Sequence, residues 1–328
     1  MRVRGGKADW QYRSGLAGAI GVAIAALLTT SGCTGSSGVP RAAPTTQTAQ
    51  ATEARTSSPG IGLSNAPVNS AFASPTTKIA PRNPLTGPPA DPFAGTPAEH
   101  WGDGTAGIHL PAARPIGTFT TAQVEFAYTT TRKLLVAAYL DRSTLLGGRP
   151  TAFADLLISQ ERTWFVAGLT KTGVDKKGDE LGTRDLVMSF APGGTQLIGS
   201  AVKVHGTMRA KTATRDGNRM LDVDIDYLFV YAVQPPHQPT EWMRIVAQNS
   251  WTVMFGNWQG AATPFEPWVD FDNFSVAGAQ CGTTDGYVHP DYPHGSGNGT
   301  QPTPSGTPVD PYALGGSAGP GCEATTGT

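Results

Sequence analysis

Apolar and acidic residues alternate along Met220 to Val233 (MLDVDIDYLFVYAV): Leu221, Val223, Ile225, Tyr227, Phe229 and Tyr231 share one parity, and Asp222, Asp224 and Asp226 the other. A period of two marks a strand with one buried face, because successive side chains point to opposite sides of a sheet. The pattern predicts the apolar parity turned inward and the three carboxylates turned to water. Past Tyr227 the parities merge, since Leu228 and Val230 are apolar too. That end is expected to be covered on both faces. Upstream, Val202, Val204 and Met208 alternate within Val202–Thr214, and Asp216-Gly217-Asn218 supplies the residues of a tight hairpin turn. Downstream, Pro235, Pro236 and Pro239 stop the strand, because proline cannot donate to a ladder. Glu241–Phe255 and Trp268–Val276 read as a third and a fourth strand.

The pattern ahead of the strands is helical. Val124, Ala127, Tyr128, Leu134, Leu135 and Ala138 recur at spacings of three and four. Thr120 and Gln123 stand at the positions of a capping box, in which each side chain satisfies the other's backbone N–H. Gly147, Gly148 and Pro150 break this helix, and Thr151–Ile158 predicts a second one capped by Thr151. Trp164–Leu169 fits helix or strand, and the polar stretch 171–184 reads as an exposed loop. Helices followed by a meander of long antiparallel strands predict an α+β domain with the helices on one face of the sheet.

Composition limits that domain to the middle of the chain. Of 328 residues, 41 are Gly and 27 are Pro, and they concentrate outside the central block. The expected organisation is a leader over 1–33, a tether over 34–112, a folded domain over 113–281 and a Gly/Pro-rich tail over 282–328. The tether is rich in Thr, Ser, Pro, Ala and Gly, and buries too little apolar surface to offset its ordering entropy. The leader has Arg2, Arg4, Lys7 and Arg13 ahead of the apolar run Leu16–Leu28, the make-up of an export signal. A formal net charge of −1, with no basic cluster interleaved with aromatics, argues against nucleic acid as a partner.

The stretch Thr29-Thr30-Ser31-Gly32-Cys33 resembles the lipobox of bacterial lipoproteins, with Ser31 and Gly32 matching and Thr30 standing where Leu is usual. The resemblance implies lipidation of Cys33 and a place on the outer face of the cytoplasmic membrane. A single-pass N-terminal anchor and plain secretion are the alternatives. The order of elements over 117–278 is similar to the NTF2-like superfamily, whose bent antiparallel sheet wraps helices into a cone with a pocket. Extracytoplasmic members, such as the Mce-associated proteins of actinobacteria, also follow an N-terminal anchor. The superfamily's enzymes use a pocket Asp with a Tyr, but no motif here places either, so no catalytic residue is assigned.

Candidate chemistry is sparse. Alternate side chains on a strand lie about 6.5–7 Å apart, too far for Asp222, Asp224 and Asp226 to share an ion without further ligands. His289, Asp291 and His294 (YVHPDYPHG) have ligand types, but their prolines and glycines argue for a loop rather than a metal site. His237, among prolines, reads as an exposed loop residue, and His205 as a strand residue. Trp242, Trp251, Trp258 and Trp268 read mainly as core, with Trp258 in GNWQG the candidate for a binding face. Tyr139 and Asp155 are the helical acid/base residues that could face a pocket. In an oxidising compartment Cys281 and Cys322 are expected to pair. No nucleophile elbow, zinc motif, phosphate loop or dinucleotide fingerprint occurs, and no cofactor is implied. The leading reading is a non-enzymatic envelope protein that binds an envelope partner or an apolar ligand through the inner side of its sheet. A small NTF2-like isomerase or dehydratase is the alternative.

Overall fold

The computed structural model describes residues 3–4, 87–176, 180–215, 217–257, 265–293, 305–315 and 323–328. The expected leader (apart from residues 3 and 4), most of the tether, Cys33, Trp258, His294 and Cys322 lie outside these residues.

Helix α1 (Thr121–Tyr139) opens as its sequence predicts. The Gln123 backbone N–H donates to Thr120 Oγ1 at 3.3 Å, and the Thr120 N–H donates to Gln123 Oε1 at 2.9 Å. A short α2 (Arg142–Leu145) follows, its Thr144 N–H capped by Asp141 at 2.8 Å. The second predicted helix divides. Helix α3 covers only Thr151–Ala154, Ile158 is extended, and α4 runs over Ser159–Gly168. Thr151 is the first helical residue rather than the cap, a position taken by Pro150. Trp164–Leu169 therefore falls in and just beyond the last turns of a helix.

The sheet is antiparallel. Its five strands run in the order β2 (Gly102–Asp103), β3 (Gln196–Arg215), β4 (Asn218–Gln234), β5 (Met243–Gly256) and β6 (Glu266–Ala277), with the pair β1 (Val3–Arg4) at the far edge of β6. Arg215 pairs with Asn218 across the hairpin, and Gly217 takes the left-handed backbone at φ +78° that the turn requires. A bulge between Ser250 and Trp251 of β5 and their β6 partners leaves Asp272 as the extra residue of β6. Helices ahead of an antiparallel meander give the predicted α+β class.

Register places Ile225 opposite Trp251, Tyr227 opposite Asn249 and Phe229 opposite Ala247. With Leu221, Val223 and Tyr231, these β4 side chains form the centre of the main core, together with Leu134, Leu135, Phe153 and Phe165 from the helices. A second core sits on the other side of the sheet, where Leu228, Val230, Ala232 and Val246 pack with Phe93 and Ala98. The end of β4 is thus covered on both faces, as the merged parities imply.

The segment after Cys281, read from composition as a tail, packs back onto the domain. The Val288 N–H donates to Ser189 O at 2.8 Å, the Ala191 N–H to Val288 O at 3.1 Å, and the Asp291 N–H to Gly278 O at 2.9 Å. A parallel pair, β7 (Ser305–Val309) and β8 (Glu323–Thr325), follows. Val288 is buried in the main core and Tyr292 packs against it; composition misses this docking because two apolar side chains and a few backbone hydrogen bonds leave no periodic signal.

Candidate functional site

Two places gather polar groups: the interior between α1 and the sheet, and the open half of the outer sheet face.

In the interior, Tyr139 ends α1 and is fully buried. Its ring stacks on Phe229 at 4.6 Å and touches Trp251 at 5.5 Å and Phe274 at 6.2 Å. Asn249 pairs directly with Phe274 across β5 and β6 and with Tyr227 across β4 and β5. Asn249 is fully buried, and neither end of its amide has a partner among the described residues. The hydroxyls of Tyr139 and Tyr227 and Oγ1 of Thr131 are likewise buried and unpartnered among the described residues. The Tyr227 ring lies over Gly206, where any Cβ would collide with it. Tyr231 is anchored instead, donating to the Tyr139 carbonyl at 2.9 Å.

Buried acids flank this cluster. Asp185, in the 3-10 turn Arg184–Leu186, is pushed up to about 7, first by burial and then by the charge of Glu180. Its own charge adds to the burial that raises the Tyr139 phenol well above its usual range. Glu161 of α4 accepts a hydrogen bond from the Val269 N–H at 3.1 Å, yet burial still raises it well above the usual carboxyl range. Burial thus disfavours the charged form of each of these groups, and Asp185 is the interior acid placed near neutrality. Arg184 donates to Gly148 O at 2.8 Å and lies 5.0 Å from the Tyr287 ring centre.

Of Tyr139 and Asp155, the pair that the sequence offers for a pocket, only Tyr139 is inside. Asp155 is exposed at the end of α3, in an ion pair with Arg162 at 2.6 Å. Asp185, Glu161 and Asn249 are not among the residues that the sequence singles out. Asn249 is readable in principle as the polar member of the inward parity Ile245, Ala247, Asn249, Trp251, Val253, Phe255. Asp185 and Glu161 sit in ordinary polar stretches and carry no such signal.

On the outer face, one expectation needs correction. Asp222 does not face water: it is 1% exposed, and Arg215 Nη1 reaches its two oxygens at 2.8 and 3.0 Å. Burial nevertheless raises its carboxyl above the usual value, against the pull of Arg215. Asp224 is half-buried and pairs with Lys211 at 2.5 Å, and Thr252 Oγ1 lies within hydrogen-bond reach of both Asp224 and Asp272. Gln248 donates to Asp226 at 3.3 Å. The carboxylates are on the outer face as predicted, but bases from β3 and an amide and a hydroxyl from β5 engage them. Among the described residues no group of three His, Cys, Asp or Glu is placed to hold a metal ion.

His289 Nε2 lies 2.9 Å from Asp285, and Asp291 is exposed. His205 is exposed and stacks on Trp101 at 5.1 Å, and His237 is exposed with a left-handed φ of +62°. Trp251 and Trp242 are buried, the latter with Arg244 5.0 Å from its ring centre. Cys281 is half-buried; its pairing with Cys322 stays a proposal.

Among the described residues, no helix is long and apolar enough to cross a membrane. No protein-family model, curated protein or solved structure matches the chain.

Proposed function

We propose that the chain is an exported envelope protein, tethered to the outer face of the cytoplasmic membrane through Cys33, whose folded domain binds or scaffolds without catalysing a reaction. The observation that carries the non-enzymatic part is the packing of the inner sheet face. Tyr139, Phe153, Phe165, Phe229 and Trp251 are all buried and in mutual ring contact there or joined through shared neighbours. Asp155 stays outside. A partner then meets the outer surface. The basic start, the apolar run and the lipobox-like Thr30-Ser31-Gly32-Cys33 support the tether. Metabolic labelling with a palmitate analogue tests it: wild type takes the label and Cys33→Ala does not. An unlabelled wild type overturns lipidation and leaves the single-pass anchor or secretion. Crosslinking and recovery from membranes then identifies what the domain touches.

One observation favours the second reading, a small NTF2-like enzyme of isomerase or dehydratase type built on the superfamily's cone. Asp185 titrates near neutrality and acts electrostatically on Tyr139, and both have an unpartnered oxygen among the described residues. A general base needs a pKa near the working pH. On this reading a candidate isomerase activity disappears in Asp185→Asn with folding intact. Under the binding reading, Asp185→Asn leaves partner recovery unchanged.

A further inference from the structure

The layer between α1 and the inner sheet face holds four fully buried side chains whose polar atoms have no partner among the described residues. They are the Asn249 amide, the Tyr139 and Tyr227 hydroxyls and Thr131 Oγ1. Three elements supply them: α1, β4 and β5. A polar group buried unpaired forfeits the hydrogen bonds that it makes with water in the unfolded chain, and native interiors pair nearly all such groups. Register sets two of them side by side. Asn249 stands directly opposite Tyr227, a spacing of about 4.5–5.5 Å between Cβ atoms. Yet the two share no hydrogen bond, because the Tyr227 ring leans over Gly206 toward β3 and away from β5. The next inward residue of β5, Ala247, is small as well. Tyr139 packs against the inward neighbours of both: Phe229 beyond Tyr227, Trp251 beyond Asn249, and Phe274 opposite Asn249.

The chemistry of the set selects what would fit it. Asn249 offers an acceptor oxygen beside two N–H donors, and each hydroxyl can do both. Arg132, the residue after Thr131, adds a buried, unpartnered Nε, while its Nη2 donates to Thr105 O at 2.8 Å. An anion would face the Asn249 oxygen, and a cation would face the amide N–H groups and Arg132. Charge of either sign therefore leaves part of the set unpaired. We propose that these groups form an enclosed site for a small neutral guest that both donates and accepts hydrogen bonds, ordered water or a small hydroxylated molecule, bridging Asn249 and Tyr227. A bridging guest is nearly as good as a direct hydrogen bond and satisfies groups that register holds apart. Enclosed by buried side chains, it exchanges only when the domain opens locally. The site lies on the opposite side of the sheet from the acidic face, and it rests neither on the tether nor on a protein partner.

The test uses the full-length chain in detergent micelles. Tyr227→Phe removes one oxygen, and Asn249→Leu keeps the branched shape of the side chain. Were the groups true orphans, each change would remove a burial penalty and raise the melting temperature. With a shared guest, each is expected to lower it by at least about 2 °C, and the double variant to lose less than the sum. Two readouts on wild type need no variant to fold. Magnetic cross-relaxation between water and the assigned Asn249 side-chain N–H groups, in a deuterated chain labelled with 15N-asparagine, reads water. A mass in native spectrometry above that of the denatured chain reads an organic guest. Water contact or bound mass supports the site and identifies its occupant. A rise in the melting temperature of either single variant, strictly additive losses, or the absence of both water contact and bound mass overturns it.

Discussion

The two faces of β4 share a backbone and differ in what reaches them. Inward, Leu221 through Tyr231 meet rings from α1, α4 and β5, and all are buried. Outward, the strand changes character halfway. Asp222, Asp224 and Asp226 engage Arg215, Lys211 and Gln248, whereas Leu228, Val230 and Ala232 lie under Phe93, Ala98, Tyr312 and Leu314. Alternation specifies which side chains share a face. What covers that face is decided by segments more than a hundred residues upstream or eighty downstream. The sharpest test of the contrast is Ile225→Asp, which puts an uncompensated charge among Trp251 and its neighbours. An unpaired buried charge costs about 3–5 kcal/mol, so thermal melts should show this variant unfolded or molten. A cooperative melt near wild type would show that the inner face tolerates charge and is looser than its packing suggests.

The next effect comes from Asp185, the inner acid that titrates. Folding holds its proton up to about 7, against an ordinary 3.8. The unfolded chain releases it first, so the stability it contributes is complete below about 4 and is lost as pH rises toward 7. Asp185→Asn cannot ionise and escapes that loss. The difference in unfolding free energy, variant minus wild type, should grow more positive from pH 4.5 to pH 8. Each tenfold change in proton affinity between folded and unfolded chain is worth about 1.4 kcal/mol, which sets a ceiling of about 4 kcal/mol on the gain. The interaction with Glu180 lowers it. A difference independent of pH would mean that Asp185 ionises as easily folded as unfolded.

How much of this was legible varies with the range of the interaction. The capping box of Thr120 and Gln123 is local, and so is the Gly217 hairpin; both read directly from residue types. The inward parity of β4 follows from alternation alone. Asp222 could not be read, because its burial depends on Arg215 folding back across a hairpin and on the crowding where the start of β4 meets the end of β5. The docking of 286–292 was equally hidden, since it rests on backbone hydrogen bonds that any sequence can make and on two isolated residues, Val288 and Tyr292, that form no apolar period. Asp185 and Glu161 needed the packed helices to become buried acids.

Asp222 sharpens the comparison from the outer side. Removing its carboxylate leaves Arg215 without its partner and leaves a small void beside Met220 and Met254. Hydrogen bonds to charged groups contribute about 1.5–3 kcal/mol, and Arg215 is partly exposed and recovers some of that from water. Asp222→Ala should therefore cost about 1–2 kcal/mol. Asp222→Asn should cost less, because the neutral amide still accepts from Arg215 and avoids the burial penalty that raises the acid. If Asn proves worse than Ala, the ion pair outweighs its desolvation and the raised carboxyl is misread.

The smallest effect belongs to Asp224 and Asp226. Both remain half-buried on the outer face, and their partners are a largely exposed Lys211 and the Thr252 hydroxyl at 224 and an amide at 226. Exposed ion pairs contribute about 0.2–1 kcal/mol and are screened by salt. The removal of a carboxylate at 224 also relieves repulsion, because the Asp272 carboxyl is raised above its usual value first by burial, then by Asp270, and further by Asp224. The two contributions at 224 oppose each other, and at 226 the lost contact is a single long hydrogen bond. Asp224→Asn/Asp226→Asn should therefore shift stability by less than about 1 kcal/mol, and by still less at high salt. Chemical denaturation at low and high ionic strength reads this directly. A loss of several kcal/mol, or a stabilisation of wild type by added calcium that the double variant lacks, would show that the open half of this face holds something its own bases and amides do not supply.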